Sequence, residues 1–275
     1  MNDAPPDLAR LPADIPLPRI VRRDPTAAPP GWPEAWRLTL RMDPETPEVG
    51  LLRVYRIAPP RAPRLTVLYS HGGSIRPDPV VGSGLWRALL AEAGRRDLPI
   101  RFVAVDHRGA RCEEAKQRFT LADRVNDLAI ARALAGDDAP LALMGNSMGG
   151  HVALMAARSL GVRRLALVNP GVYGAAAHDV PLGPRFSAAI RAPGSWHASP
   201  AFDALAALLQ GGGRAIMLAS RADTVIPDAL NAKLEQTIVR FGGPRGCVKF
   251  STAGHTGMDP SVPGDLLDFL SVSEQ

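Results

Sequence analysis

Cysteine is almost missing from this sequence: Cys112 and Cys247 are the only two in 275 residues. Two are too few for a disulfide framework, and their spacing is not that of a metal site. Lysine is scarce as well, since only Lys116, Lys233 and Lys249 occur among the 32 basic residues. Those basic residues are spread along the chain among 27 acids and leave a net charge of +5. The densest group, Arg19, Arg22 and Arg23, has no aromatic partners for base stacking, so the expectation is no nucleic-acid partner. No apolar run approaches the roughly 18 residues of a membrane span. Residues 1–10 carry acids and prolines where a secretory leader would carry basic residues and then an apolar stretch, so a cytoplasmic location is expected.

What the chain does have is a core. Hydrophobic residues make up 46% and charged residues 21%, which excludes wholesale disorder, and the length suits one large α/β domain or at most two small ones. Proline is uneven, with 14 of the 27 in the first 63 residues. Residues 1–34 show no lasting apolar period and read as an extended or poorly ordered arm. Runs at 36–42 and 51–57 read as an antiparallel hairpin at a sheet edge.

From residue 64 a strand–helix rhythm takes over. Apolar runs at 65–69, 100–105, 141–144 and 165–168 alternate with helical stretches at 83–96, 120–134 and 151–160. It resumes with a strand at 214–219, a helix at 227–241, a strand at 247–250 and a helix at 265–270. This alternation predicts a doubly wound, mostly parallel sheet with helices on both faces. Residues 169–210 interrupt it with a stretch rich in Gly, Ala and Pro, read as a lid inserted into a core of 35–168 and 211–275. Its aromatic residues Tyr173, Phe186, Trp196 and Phe202 are expected either to line a substrate pocket or to anchor the lid.

The chemistry is concentrated at Gly145-Asn146-Ser147-Met148-Gly149, a G-x-S-x-G run between a strand and a small-residue helix. So sharp a turn pushes the Ser147 hydroxyl into a cleft, and the helix behind it directs its positive dipole end there. A serine nucleophile needs a base, and the base needs a carboxylate. His255, in Ala253-Gly254-His255-Thr256-Gly257 after the last strand, stands where such a sheet gathers its site. Asp223 follows the strand at 214–219, which gives the chain order Ser147, Asp223, His255. His71 is read as shaping the loop backbone, and the other four histidines have no matching context. An oxyanion needs two aligned donors. The Met148 N–H is one, and the Gly73 N–H in His71-Gly72-Gly73-Ser74 is the other, with Ser74 as second choice and as a pocket residue.

Taken in order, His71-Gly72-Gly73, Asp106-His107-Arg108-Gly109, the elbow at Ser147, the Asp223 loop and Gly254-His255 resemble the α/β-hydrolase superfamily over residues 35–272. The resemblance implies an eight-stranded sheet with a lid after the sixth strand. Asn146 and Met148 make the elbow similar to that of the meta-cleavage-product hydrolases, which split carbon–carbon bonds. The expected function is hydrolysis of a carboxylic ester or thioester of a small-molecule acyl substrate through an acyl-enzyme. A C–C hydrolase, an amidase or an acyltransferase on the same residues is the alternative, and a non-catalytic binding module the remaining one. No metal cluster or nucleotide loop stands in the sequence, so no cofactor is expected.

Overall fold

The computed structural model describes residues 11, 15–76, 78–136, 138–257 and 259–272. Residues 1–10, on which the leader reading rests, and 12–14 of the arm lie outside the described residues. Strands β1 (Arg19–Pro25), β2 (Glu34–Arg41), β3 (Leu52–Ala58) and β4 (Leu65–Ser70) come first. Helix α1 (Gly84–Arg95), β5 (Ile100–Asp106), the single turn α2 (Glu113–Lys116) and α3 (Leu121–Ala135) follow. Next come β6 (Leu141–Asn146), α4 (Met148–Ala157), β7 (Arg164–Val168), α5 (Pro184–Arg191) and α6 (Pro200–Gln210). The chain closes with β8 (Arg214–Ser220), α7 (Asp228–Gly242), β9 (Gly246–Ser251) and α8 (Val262–Ser271).

All strands join one sheet in the order β1-β2-β3-β5-β4-β6-β7-β8-β9. Pairing is antiparallel through β3 and β5 and parallel from there to β9. Strands β4, β5 and β7 are buried at every position because both faces of the sheet are covered. Leu68, Leu143, Leu165 and Leu167 point to the layer of α3, α4, α6 and α7. Val67, Tyr69, Ala142, Met144 and Ala166 point to α1 and α8. Burying each of the larger side chains is worth roughly 1.5–3 kcal/mol, so the two-sided core fixes which face each strand presents. The helices begin where their caps say: Ser83 Oγ accepts from the Trp86 N–H at the head of α1, and Thr120 and Asp123 form a reciprocal capping box on α3.

Two details differ from the sequence reading. The eight expected strands are β2 to β9, and the arm supplies a ninth. β1 pairs with β2 along its length, with Arg23 opposite Leu38 and Asp24 opposite Arg37. Its alternation is hidden by charges because, as an edge strand, it is largely exposed on both faces. The second difference lies in the interrupted segment. Its last third is α6, whose Leu205 and Leu209 are fully buried against α4 and α7. That helix is part of the core layer, so only the stretch from Asn169 to Ser199 stands apart from it. Among the described residues no helix is long and apolar enough to cross a membrane.

Candidate active site

The parallel strands deliver their C-terminal ends to one rim, and the sequence-derived residues meet there. Ser147 sits between β6 and α4 with φ 52° and ψ −121°, a conformation that non-glycine residues adopt rarely. Flanking glycines make the turn possible. A Cβ on Gly145 would lie 2.2 Å from the Gly149 carbonyl oxygen, and one on Gly149 would lie 2.1 Å from the Ser70 oxygen. The turn is tied down through Ser147 itself. Its N–H donates to Val168 O (2.9 Å), and its carbonyl accepts from Gly171 N (2.8 Å).

From Ser147 a hydrogen-bonded chain runs to Asp223. Ser147 Oγ stands 3.1 Å from His255 Nε2, and His255 Nδ1 stands 2.7 Å from Asp223 Oδ2. Asp223 Oδ1 is occupied on the other side, accepting from Val225 N (2.7 Å) and Ile226 N (2.9 Å). The carboxylate is fully covered while the imidazole keeps 15% of its surface open. The geometry assigns the protons. A carboxylate only accepts, so Nδ1 carries the hydrogen and Nε2 is left to accept from the serine hydroxyl.

Two contributors to this geometry were not picked out from the sequence. Ser220 Oγ, at the end of β8, accepts from both Ala222 N (3.1 Å) and Gly254 N (3.0 Å), joining the aspartate loop to the histidine loop. Asn169 (φ 42°) donates from Nδ2 to His255 O at 2.9 Å. An asparagine directly after a β-strand was the available signal, because asparagine tolerates the left-handed region.

The loop after β4 forms the facing wall. His71 is buried, and its two bonds fix a neutral tautomer. Nε2 accepts from the His107 N–H (3.3 Å), and Nδ1 donates to Gly72 O (2.6 Å). Burial, then the neighbouring His107 and Arg124, hold its pKa well below the usual value. His71 thus shapes the loop backbone, as read from the sequence. Arg124 Nη1 donates to the same Gly72 carbonyl at 3.4 Å from within the core. The Gly72–Gly73 peptide therefore receives two donors at its oxygen end. Gly73 also gives room to Met148, whose Cε would lie 2.6 Å from a Cβ at that position. Beneath this wall, Ser70, His107 and Asp127 form a second Ser-His-Asp chain, with 2.8 Å from Ser70 Oγ to His107 Nε2 and 3.2 Å from His107 Nδ1 to Asp127. All three are buried, and none borders the cavity beside Ser147.

That cavity, of about 630 Å³, is bordered by Ser147, His255, Gly73, Met148, Ser74 and, from the inserted segment, Tyr173 and Phe186. Trp196 and Phe202 do not border it, which corrects the pocket reading for both. Phe202 is 94% buried on α6. Its ring meets Trp196 edge-on, and Lys233 Nζ on α7 lies 4.3 Å from its centre. Both aromatics therefore fasten the segment to the core. A second fastening lies nearer the serine. His151 Nδ1 on α4 accepts from the Tyr173 N–H (3.3 Å), so its proton is on Nε2 and is donated to His178 Nε2 (2.8 Å). Burial, with His178 adding to it, lowers the His151 pKa to about 3.

A strand order of this kind, with a serine turned out at the strand–helix junction after β6, defines a class of α/β enzyme. The sequence family described as "Alpha/beta hydrolase family" matches residues 67–242. The chain belongs to the alpha/beta hydrolase family, and its broad activity is that of a hydrolase. No curated protein matches the sequence. Solved structures with a similar fold include TT1662 from Thermus thermophilus, 20% identical over 81% of this chain and 95% of that one, with a TM-score of 0.55. The thioesterase domain from the curacin biosynthetic pathway is 12% identical over 85% and 99%, with a TM-score of 0.58. A cold-adapted esterase from an Arctic intertidal metagenomic library is 13% identical over 91% and 97%, with a TM-score of 0.57.

Proposed function

We propose that the protein is a serine hydrolase that cleaves a carboxylic ester or thioester through an acyl-enzyme. The observation that carries this reading is the chain of hydrogen bonds from Ser147 through His255 to Asp223, with Asp223 Oδ1 pinned by two backbone amides. As Ser147 Oγ attacks the carbonyl carbon, its proton passes to His255 Nε2, and the Asp223 carboxylate stabilises the imidazolium. The carbonyl oxygen becomes an oxyanion, received by the N–H groups of Met148 and Gly73. Met148 is the first residue of α4, where the N–H groups have no intrahelical acceptor and the helix dipole favours negative charge. The two donations into the Gly72 carbonyl polarise the peptide whose other end is the Gly73 N–H, which strengthens it as a donor.

His255 then returns its proton to the departing alkoxide or thiolate, leaving Ser147 acylated. Water enters, gives a proton to His255 as it attacks the acyl carbon, and the acid leaves as Ser147 recovers its hydrogen. Ester and thioester substrates also agree with the thioesterase and the esterase of similar fold. Tyr173 and Phe186 border the space available to the acyl group, and residues 169–199 form the lid over it.

A fluorophosphonate probe should label the protein at Ser147 and nowhere else. Ser147→Ala should abolish labelling and lower kcat on p-nitrophenyl esters by at least about a thousandfold. Labelling at another residue, or a kcat within tenfold of the parent, would sink the assignment.

A further inference from the structure

Charge around the cavity is distributed unevenly. On the β9 side Lys249 Nζ stands 2.6 Å from Asp265 Oδ1, while Asp259 accepts from the Ser261 N–H at 2.9 Å and stays a negative charge on the lining. The rest of the lining carries cations: the exposed Arg76 in the loop after β4, the half-buried Lys116 at the end of α2 and the exposed Arg191 at the end of α5. None of these three side chains forms a hydrogen bond or ion pair among the described residues.

Lys116 is the most informative of the three. It is one of only three lysines in the chain, and it is half-buried at the cavity wall with no bonded carboxylate. The groups that act on its charge are Glu113, an exposed residue on the same turn, and Arg124 behind it; burial and Arg124 lower its pKa, and Glu113 raises it. Arg124 is itself fully buried, with Nε and Nη2 lacking hydrogen-bond partners. Arg124 has the buried Asp127 and Asp106 acting on its charge without a hydrogen bond to either. Lys116 has only the exposed Glu113, so its partly buried charge is the less compensated of the two. The turn is also fixed in place, because Leu182 N donates to Phe119 O at 2.8 Å and docks it against the start of α5. From α5, Phe186 and Ile190 give the same cavity an apolar surface, with Arg191 next in line.

We infer that the substrate is an anionic acyl compound, one whose carboxylate or phosphate lies among Arg76, Lys116 and Arg191 while its ester or thioester carbonyl lies at Ser147. The inference rests on the hydrolase reading above. A cavity whose lining carries more cations than carboxylates attracts ligands of negative charge, and a negative group beside the half-buried Lys116 would give its ammonium a partner. The negative group belongs either to the acyl part or to the leaving group, and paired substrates separate the two.

The acyl arm compares the mono-p-nitrophenyl ester of adipic acid with p-nitrophenyl hexanoate. The leaving-group arm compares hexanoyl esters of 3-carboxy-4-nitrophenol and 4-nitrophenol. In at least one arm the anionic ester should exceed its neutral partner in kcat/KM by tenfold or more. That ratio should shrink as salt rises from 0.02 to 0.5 M, conditions chosen to span strong and weak screening. It should also fall at least fivefold in Lys116→Gln and further in Lys116→Gln with Arg191→Gln. A ratio at or below one in both arms, with the neutral esters turned over, overturns the inference and leaves the hydrolase reading standing. A high ratio unchanged in both variants overturns the assignment to these side chains. No turnover of any ester, together with no fluorophosphonate labelling of Ser147, overturns the hydrolase reading and this inference with it.

Discussion

Ser147 is held at φ 52° and ψ −121°, where a Cβ is uncomfortable, so the site keeps its nucleophile at some expense of stability. Ser147→Gly should relieve that conflict and Ser147→Ala should not, although both remove the hydroxyl. The glycine variant is expected to be more stable than the alanine variant by about 1 kcal/mol, or roughly 2–4 °C in Tm for a domain of this size. Calorimetry of the two variants decides it, and equal or reversed melting temperatures would show that the elbow is relaxed. At this scale the sequence was largely readable. The G-x-S-x-G run, Gly254-His255 and Asp223 carry local signals in strand-end loops, and the structure brings all three within hydrogen-bond reach. Ser220, Arg124 and Asn169 were not read, because their roles depend on loops meeting in space. A serine ending a strand or an arginine inside a helix has no distinguishing neighbour in sequence.

The inserted element shows how position in the chain and position in space diverge. Tyr173, Phe186, Trp196 and Phe202 share one interrupted segment, yet only the first two reach the cavity. The sequence contained the clue, since 200–210 begins with Pro after Ser199 and carries apolar residues at helical spacing. Ser199 does cap α6, with Oγ accepting from the Ala201 N–H. Trp196→Ala should therefore lower Tm and reduce kcat/KM by a similar factor for short and long acyl esters. Its ring packs on Phe202 and lies within 6.0 Å of Lys233 rather than against substrate. A chain-length-dependent loss at unchanged Tm would return Trp196 to the pocket.

Over the whole molecule, buried histidines set the response to acid. Burial lowers His107 to about 4, against the opposing pull of Asp127, and lowers His151 to about 3. His71 is also held well below its usual value by burial. An unfolded imidazole titrates near 6.5, so the unfolded chain binds more protons than the fold in the interval below that value. The stability these groups contribute is present above about pH 6.5 and is lost as pH falls through the folded values. Asp106 opposes this with the reverse sign. Burial raises it to about 6 despite its ion pair with Arg111, so between its usual range and pH 6 the fold takes up a proton there. Three depressed imidazoles outweigh one raised carboxyl, and Tm should fall steadily between pH 7 and 4.5. A Tm that stays flat or rises across that interval would mean that the histidines are protonated in the fold. His107→Gln should flatten the slope.

At the far end of the same sheet, β1 bears on the chain's colloidal behaviour. Any open sheet ends in a row of main-chain groups able to recruit a strand from another molecule. Here the terminal strand reads Arg-Ile-Val-Arg-Arg-Asp-Pro. Its arginines repel a second copy of themselves, its register slips between Ile20 and Arg22, and Pro25 offers no N–H. β2, with buried Leu38 and Leu40, would be a far stickier boundary. β1 thus acts as a selvage, finishing the woven edge so that it does not catch on its neighbours.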